Sequence, residues 1–182
     1  MPLRVIGYDG SSYRDEMNQD EIVIDEETGK KHKIRHKRYP VVTIVLYFGK
    51  VPWKKPLSLY DVLEISDDLK PFVNDYKINL IDVPRLTEEQ VKKFTSDFQI
   101  IADYFVQLNE NKGYVPKDIT IRHTDSFLKL MSVLTQDDKY VEIYRELSHE
   151  KEEFNMCEVL DKVEARGKAI GALNKTVEIL RV

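Results

Sequence analysis

The feature that most restricts what this chain can fold into is the run Tyr39-Pro40-Val41-Val42-Thr43-Ile44-Val45-Leu46-Tyr47-Phe48-Gly49, apolar at nearly every position and rich in β-branched side chains. A strand with one wet face alternates apolar and polar residues, so a run without that alternation predicts a strand buried on both faces. Covering both faces takes helices above and below a sheet. The expected fold class is therefore α/β (α+β), not a one-sided antiparallel meander. A second strand is predicted at Lys77-Ile78-Asn79-Leu80-Ile81-Asp82-Val83, whose weaker alternation suits a position near a sheet edge.

Helices account for most of the remainder. Leu3, Ile6, Tyr13 and Met17 stand at helical spacing. Gly7 and Gly10 each cost this first helix about 1 kcal/mol relative to alanine, so packing must cover it. Thr87-Glu88-Glu89-Gln90 spells a capping box, in which the threonine hydroxyl and the glutamine side chain satisfy orphan backbone donors. Val91, Phe94, Phe98, Ile101, Phe105 and Leu108 then form one apolar stripe, in a helix that Gly113 ends. A further helix is predicted over residues 124–135 with Phe127, Leu130, Met131 and Leu134 inward, and a shorter one over 139–147.

The last segment opens on Asn155-Met156-Cys157-Glu158, again a cap with an acid three residues on. Val159, Val163, Ile170, Leu173, Val177 and Leu180 follow in an alternating four-three register broken at Arg166. Such a seam serves either self-association or folding back onto the helix's own domain, and the residues leave both open. Together these elements divide the chain into an α/β region over residues 1–85, a helical region over 86–154 and a C-terminal helix over 155–182.

Charge is informative locally. The formal net charge of -4 excludes a uniformly basic nucleic-acid coat. Between the first helix and the apolar run, however, Asp20, Glu21, Asp25, Glu26 and Glu27 precede Thr28-Gly29, and Lys30, Lys31, Lys33, Arg35, Lys37 and Arg38 follow with no acid among them. An acidic arm and a basic arm joined by a glycine turn predict a hairpin near residues 20–38. It either neutralises itself across the strands or tracks DNA phosphates in a salt-dependent way.

Side chains that could carry chemistry are sparse. Cys157 is the single cysteine, which excludes a disulfide framework, and no histidine near it in sequence would activate it. His32 and His36 would not share a strand face as a metal pair does on a helix. Asp75-Tyr76-Lys77 spells Asp-x-Lys but precedes a strand instead of closing one, and Asp161-Lys162 sits on a predicted helix. Trp53, beside Pro52 and Lys54-Lys55, reads as a loop anchor. No glycine-rich phosphate loop, signal peptide or stretch of about 18 apolar residues is present, so a cytoplasmic protein without membrane contact is expected.

Several blocks resemble the bacterial Rpn family, recombination-promoting nucleases and transposases of the PD-(D/E)XK superfamily. They are Met1-Pro2-Leu3-Arg4-Val5-Ile6-Gly7-Tyr8-Asp9, the stretch from Arg38 to Gly49 with Trp53, and Leu69-Lys70-Pro71-Phe72-Val73-Asn74-Asp75-Tyr76-Lys77-Ile78-Asn79-Leu80. Ser96-Asp97-Phe98, Ala102-Asp103-Tyr104-Phe105, Leu128-Lys129-Leu130-Met131-Ser132-Val133-Leu134-Thr135 and the tail from Met156 to Gly167 extend the likeness along the chain.

The resemblance implies the C-terminal part of a mixed nuclease sheet flanked by helices, with a helical C-terminal half. It also implies, for the complete family domain, acids on adjacent strands that hold magnesium and activate water against a phosphodiester. The Glu-x-Gln element of such proteins precedes the segment matching Met1 to Tyr8, so the chain is expected to lack the N-terminal catalytic segment and to hold no cofactor. No catalytic residue is assigned. Arg4 and Tyr8, four residues apart on one helix face, match positions directly after the catalytic strand and are the site-adjacent candidates.

Three readings of function follow from these residues. One is a DNA nuclease or transposase of this family that is inactive alone. A second is an interaction module that dimerises or binds and inhibits a full-length relative. The third is a non-catalytic domain that binds double-stranded DNA through Lys30, Lys31, Lys33, Arg35, Lys37 and Arg38. A sheet without its neighbours exposes the edge of the apolar run, so a homo-oligomer or pairing with that relative is the expected partnership, with Val159, Val163, Ile170, Leu173, Val177 and Leu180 as interface candidates.

Overall fold

The computed structural model describes residues 1–34, 37–110, 113–147 and 154–180, of which 146–147 and 169–180 by their backbone alone. It has mixed α/β architecture, with helices beside three separate two-stranded sheets among the described residues. The chain divides into two compact units. The first holds residues 1–47 and 52–81, the second residues 48–51 and 82–182.

The first unit opens on α1 (Pro2–Met17), where Pro2 stands in the first turn, in which its missing N–H costs nothing. The buried face of α1 differs from expectation. Pro2, Val5 and Asp9 are buried, whereas Leu3, Ile6, Tyr13 and Met17 are exposed. After α1 come β1 (Glu21–Ile24) and β2 (Lys31–Ile34), an antiparallel hairpin exposed throughout, and β3 (Ile44–Tyr47), which pairs with β4 (Asn79–Asp82).

The long apolar run corrects the sequence reading most. Only its second half is a strand, and Val42, Ile44 and Leu46 are exposed, so it is not buried on both faces. The reason lies in α1. Arg38 donates from Nη1 to the Glu16 carbonyl at 2.6 Å, the Val41 N–H donates to Tyr13 Oη at 2.9 Å, and Thr43 Oγ1 donates to the buried Asp9. Residues 38–43 therefore run back along α1 from its last turn towards its middle. Their backbone and side chains are bound to a helix before any strand partner is met.

The second unit is built of helices around one apolar cluster. Thr87 caps α2 (Glu88–Val91) as expected: its hydroxyl accepts from the Gln90 N–H, and Gln90 Oε1 accepts from the Thr87 N–H. The helix nevertheless stops after one turn. α3 (Phe98–Asn109) starts afresh, so the predicted single stripe is split, with Val91 and Ile101 buried and Leu108 exposed, while Val106, outside that stripe, is buried. α3 closes before Gly113, whose φ of +71° only glycine adopts readily.

β5 (Thr120–Ile121) leads into α4 (Thr124–Thr135), and α5 (Lys139–Leu147) follows, both with the expected bounds. On α4, Phe127, Leu128 and Met131 are buried while Leu130 is exposed, a rotation of the expected face by part of a turn.

β6 (Phe154–Asn155) pairs antiparallel with β5 and leads into α6 (Met156–Leu180). The Asn155–Glu158 cap is present, with Glu158 N–H donating to Asn155 Oδ1 at 2.9 Å and Asn155 N–H donating to Glu158 Oε2 at 3.3 Å. Ile101, Ile121, Met131, Ile143, Met156 and Val159 meet in the core from five elements. Burying each such side chain contributes about 1.5–3 kcal/mol.

Candidate nucleic-acid interface

The hairpin is the most charged local structure that the sequence singles out. Its turn is set by Asp25, whose Oδ1 accepts the Glu27 N–H at 3.0 Å and the Thr28 N–H at 2.8 Å, while Gly29 (φ +66°) donates its N–H to the Asp25 carbonyl at 2.8 Å. The N–H and hydroxyl of Thr28, with the Glu27 N–H, hold the Asp25 carboxyl below the usual range. The turn is thus built by an aspartate and a glycine, each suited to it by local hydrogen bonding and by φ.

The register shows that the hairpin does not neutralise itself across its strands. Lys31 faces Ile24, His32 faces Val23, Lys33 faces Ile22 and Ile34 faces Glu21. The acids were expected on the first arm; most instead lie in the turn, and β1 presents isoleucines beneath the lysines. Such pairs let lysine stems cover apolar surface while the ammonium stays in water.

Neutralisation comes from one residue ahead of the hairpin. Asp20, whose side chain is 6% exposed, lies 3.0 Å from Lys33 Nζ and contacts Arg38 Nη2. Hydrogen bonds from Lys33 and Arg38 hold its carboxyl below the usual range. Two of the six basic candidates are therefore bound to the fold. Lys30, Lys31 and Lys37 are exposed and make no ion pair among the described residues, and Arg35, like His36, lies outside them.

Two positions escape the sequence reading. No local pattern marks Asp20 as the partner of both Lys33 and Arg38, since Arg38 is eighteen residues away. Tyr39, assigned to a buried strand, is 80% exposed. The dipeptide Tyr39-Pro40 following a basic run was its available signal, because a residue before proline is held extended.

The remaining candidates settle into structural roles or stay separate. Arg4 Nη2 donates to Tyr8 Oη at 3.0 Å on an exposed face of α1, so the expected pair does share a face. Trp53 donates from Nε1 to the Lys55 carbonyl at 2.7 Å and meets Tyr47 edge-on at 5.1 Å, as a loop anchor does. Asp75 accepts the Tyr60 N–H at 3.0 Å, and Lys77 bridges to Ser58, so the Asp-x-Lys tripeptide stitches a loop. Cys157 is half-buried with a free thiol.

On α6, Val159 is fully buried and Val163 packs against the same core, while Arg166, which breaks the seam, contacts Glu142 of α5. This part of the helix packs on its own unit, with Val159 fully buried and Val163 partly so. The side chains of Ile170, Leu173, Val177 and Leu180 lie outside the described residues.

Among the described residues no three His, Cys, Asp or Glu side chains gather where they could hold a metal ion. Three carboxylates have protein partners: Asp9 holds Thr43, Asp97 the backbone of Arg122 and His123, and Asp103 the Lys117 ammonium at 2.7 Å, while Glu16 Oε2 is buried without a hydrogen-bond partner among the described residues. A cavity of about 620 Å³ in the second unit is lined by Phe48, Tyr104, Phe105 and Leu134 with Lys50, and by no carboxylate. The donor set among the described residues thus does not fit a hard divalent cation. No described helix is long and apolar enough to cross a membrane.

Residues 22–114 match the family model described as putative transposase, YhgA-like. No curated protein and no solved structure matches the chain. The matched stretch takes in half of the sequence, including the basic run, both strands of the β3–β4 pair and all of α3, and on that ground the chain belongs to the YhgA-like putative transposase family, a PD-(D/E)XK-type family.

Proposed function

We propose that this chain acts at DNA as a transposase-like protein, and that its described residues supply a scaffold and a strip that contacts phosphates without reading sequence. The observation that carries this reading is the basic run within the matched stretch, where Lys30, Lys31 and Lys37 are exposed without ion pairs among the described residues. Lysines that neutralise phosphates release counterions, which gives affinity that falls steeply with salt. Magnesium-assisted hydrolysis needs clustered oxygen ligands, and no hydrolytic step is assigned to the carboxylates described here.

Fluorescence anisotropy with a short labelled duplex tests the reading. Weak binding at low salt, lost at moderate salt and lost in Lys30→Ala/Lys31→Ala/Lys37→Ala, is expected. Binding unchanged in that variant sinks the strip. In parallel, the purified chain is expected to leave supercoiled plasmid intact in magnesium, and nicking that a chelator abolishes overturns that part.

A second reading rests on exposed apolar strand surface. Val42, Ile44 and Leu46 on and beside β3, and Ile22 and Ile24 on β1, are all exposed. Strand edges and apolar faces of this kind pair with other chains, and a second copy or a longer relative fits them. Light scattering after size exclusion tests this reading, and a clean monomer counts against self-association.

A further inference from the structure

Close packing leaves few voids larger than a water molecule inside a folded unit. The second unit nevertheless holds the cavity of about 620 Å³, and every residue that lines it belongs to that unit. Spaces of this size, walled by aromatic and aliphatic side chains with a few polar groups, are what small molecules occupy in proteins.

One wall is fixed from a distance in sequence. Arg85 donates from Nη1 to the Gly49 carbonyl at 3.1 Å and from Nη2 to the Lys50 carbonyl at 2.6 Å, while Asp82 holds the same guanidinium at 2.7 Å. Next in the chain to this pinned backbone, the Phe48 ring meets Phe105 of α3 edge-on at 5.0 Å, and Tyr104 meets Phe105 at 5.3 Å. The aromatic wall is therefore held by the protein's own contacts.

Charge at the cavity is balanced. Asn109 and Thr135, the last residues of α3 and α4, both line it, so the partial negative charge of two helix C-termini borders the space. Lys50 is the one charged residue in the lining; it is exposed and makes no ion pair among the described residues. An anion would face the helix ends, and a cation would face Lys50. The hydroxyl of Thr135 is already spent on the Met131 carbonyl at 2.7 Å, and that of Tyr104 is hydrogen-bonded to Tyr140. Aromatic edges and the acceptor carbonyls of two last turns remain.

We infer that this cavity binds an uncharged, flat aromatic compound that carries an N–H or O–H donor. None of its lining residues belongs to the basic strip, so its failure would leave the DNA-directed reading standing.

The test is a ligand-observed NMR titration with three probes built on one ring system: neutral tryptophol, anionic indoleacetate and cationic tryptamine. Wild type should bind tryptophol at least about fivefold more tightly than either charged probe, because a charged group gives up water there without a net partner. Lys50→Met should keep tryptophol within about twofold while tightening tryptamine and weakening indoleacetate, since it removes one side of the balance. Leu108→Trp adds bulk at a lining position that is 41% exposed and should weaken all three probes. An unchanged urea midpoint in that variant shows that space was lost and not the fold.

Competition with deoxyadenosine separates two sources of such a ring. Displacement of tryptophol assigns it to a nucleobase, persistence assigns it to a free aromatic compound, and either upholds the site. Tighter binding of a charged probe by wild type, a charge preference unmoved in Lys50→Met, tryptophol affinity unchanged in folded Leu108→Trp, or no binding of any probe overturns the inference.

Discussion

Asp97 stands at the N-cap of α3 yet makes no side-chain bond to that helix; its carboxylate accepts the backbone N–H of His123 at 2.7 Å, twenty-six residues later in the chain. The same carboxylate accepts the Arg122 N–H at 3.1 Å, and His123 Nδ1 lies 3.1 Å from it. His123 is the N-cap of α4, and its own side chain caps nothing. Besides Asp125 in its own first turn, α4 therefore has at its positive end a carboxylate from the start of α3.

Removing Asp97 should cost much more than removing His123. Asp97→Ala leaves two backbone donors without their acceptor, a loss of about 1–3 kcal/mol. The His123 side chain is 75% exposed, so His123→Ala should stay within about 0.5 kcal/mol of wild type. Urea unfolding of the two variants measures the difference, and equal losses would refute the assignment.

Replacing Gly7 and Gly10 with alanine should stabilise the protein. Both lie within α1, neither has positive φ, and an added Cβ would meet nothing within 4 Å. Each change should add roughly 0.5–1 kcal/mol through the unfolded chain's lost freedom, and the two should be nearly additive. A lower thermal midpoint in either variant would show that these positions serve a contact beyond helix formation.

Acid should loosen the hairpin before the helical core. The carboxyls of Asp20 and Asp25 titrate lower folded than unfolded, so their contribution is present above about pH 4 and fades as pH falls through the folded values. Amide exchange at Lys33 and Arg38 should rise in that window in wild type, and should already be raised at neutral pH in Asp20→Asn. Exchange insensitive to both changes would separate Asp20 from the hairpin.

Alkali should act on the second unit. Burial, with Tyr104 adding to it, pushes the Tyr140 phenol above its usual range, and burial followed by Asp103 does the same for Tyr114. Above about pH 10 the unfolded chain loses protons that the folded chain keeps, so stability falls as pH rises. Tyr140→Phe should flatten that fall while costing about 1 kcal/mol near neutrality for the lost hydroxyl bond. Urea midpoints at two pH values on either side of the phenol range check both signs.

Salt should report the lysines. If Lys30, Lys31 and Lys37 each meet a phosphate, their joint replacement by alanine should reduce the slope of log affinity against log salt by about 2–3 for duplex DNA. Lys33→Ala should change it less, since its ammonium is 3.0 Å from Asp20. Equal slopes for wild type and the triple variant would place the phosphate contacts elsewhere.

Elements bounded by local chemistry were legible in the residues. The Thr87–Gln90 and Asn155–Glu158 capping boxes and the turn at Gly29 follow from caps and φ preference, and the bounds of α4 and α5 were legible from apolar spacing. Those signals act within a few residues, so nothing distant can reverse them. Family membership was legible for a similar reason, because it rests on matched residues and not on their arrangement.

Faces and partners were decided by contacts distant in sequence. Apolar content promised that residues 39–49 would be buried, but bonds from Tyr13, Glu16 and Asp9 bind the first half of that run to α1 and leave Tyr39 in water. Charge left a hairpin that either neutralises itself across its strands or tracks phosphates, and register set lysines over isoleucines while Asp20 took two of the cations. A periodic seam fitted two partners equally, and the structure shows its first residue, Val159, packed into the core. Hydrophobicity and charge say that a group needs a partner, and only the three-dimensional path of the chain determines which partner comes within the few ångströms over which they act.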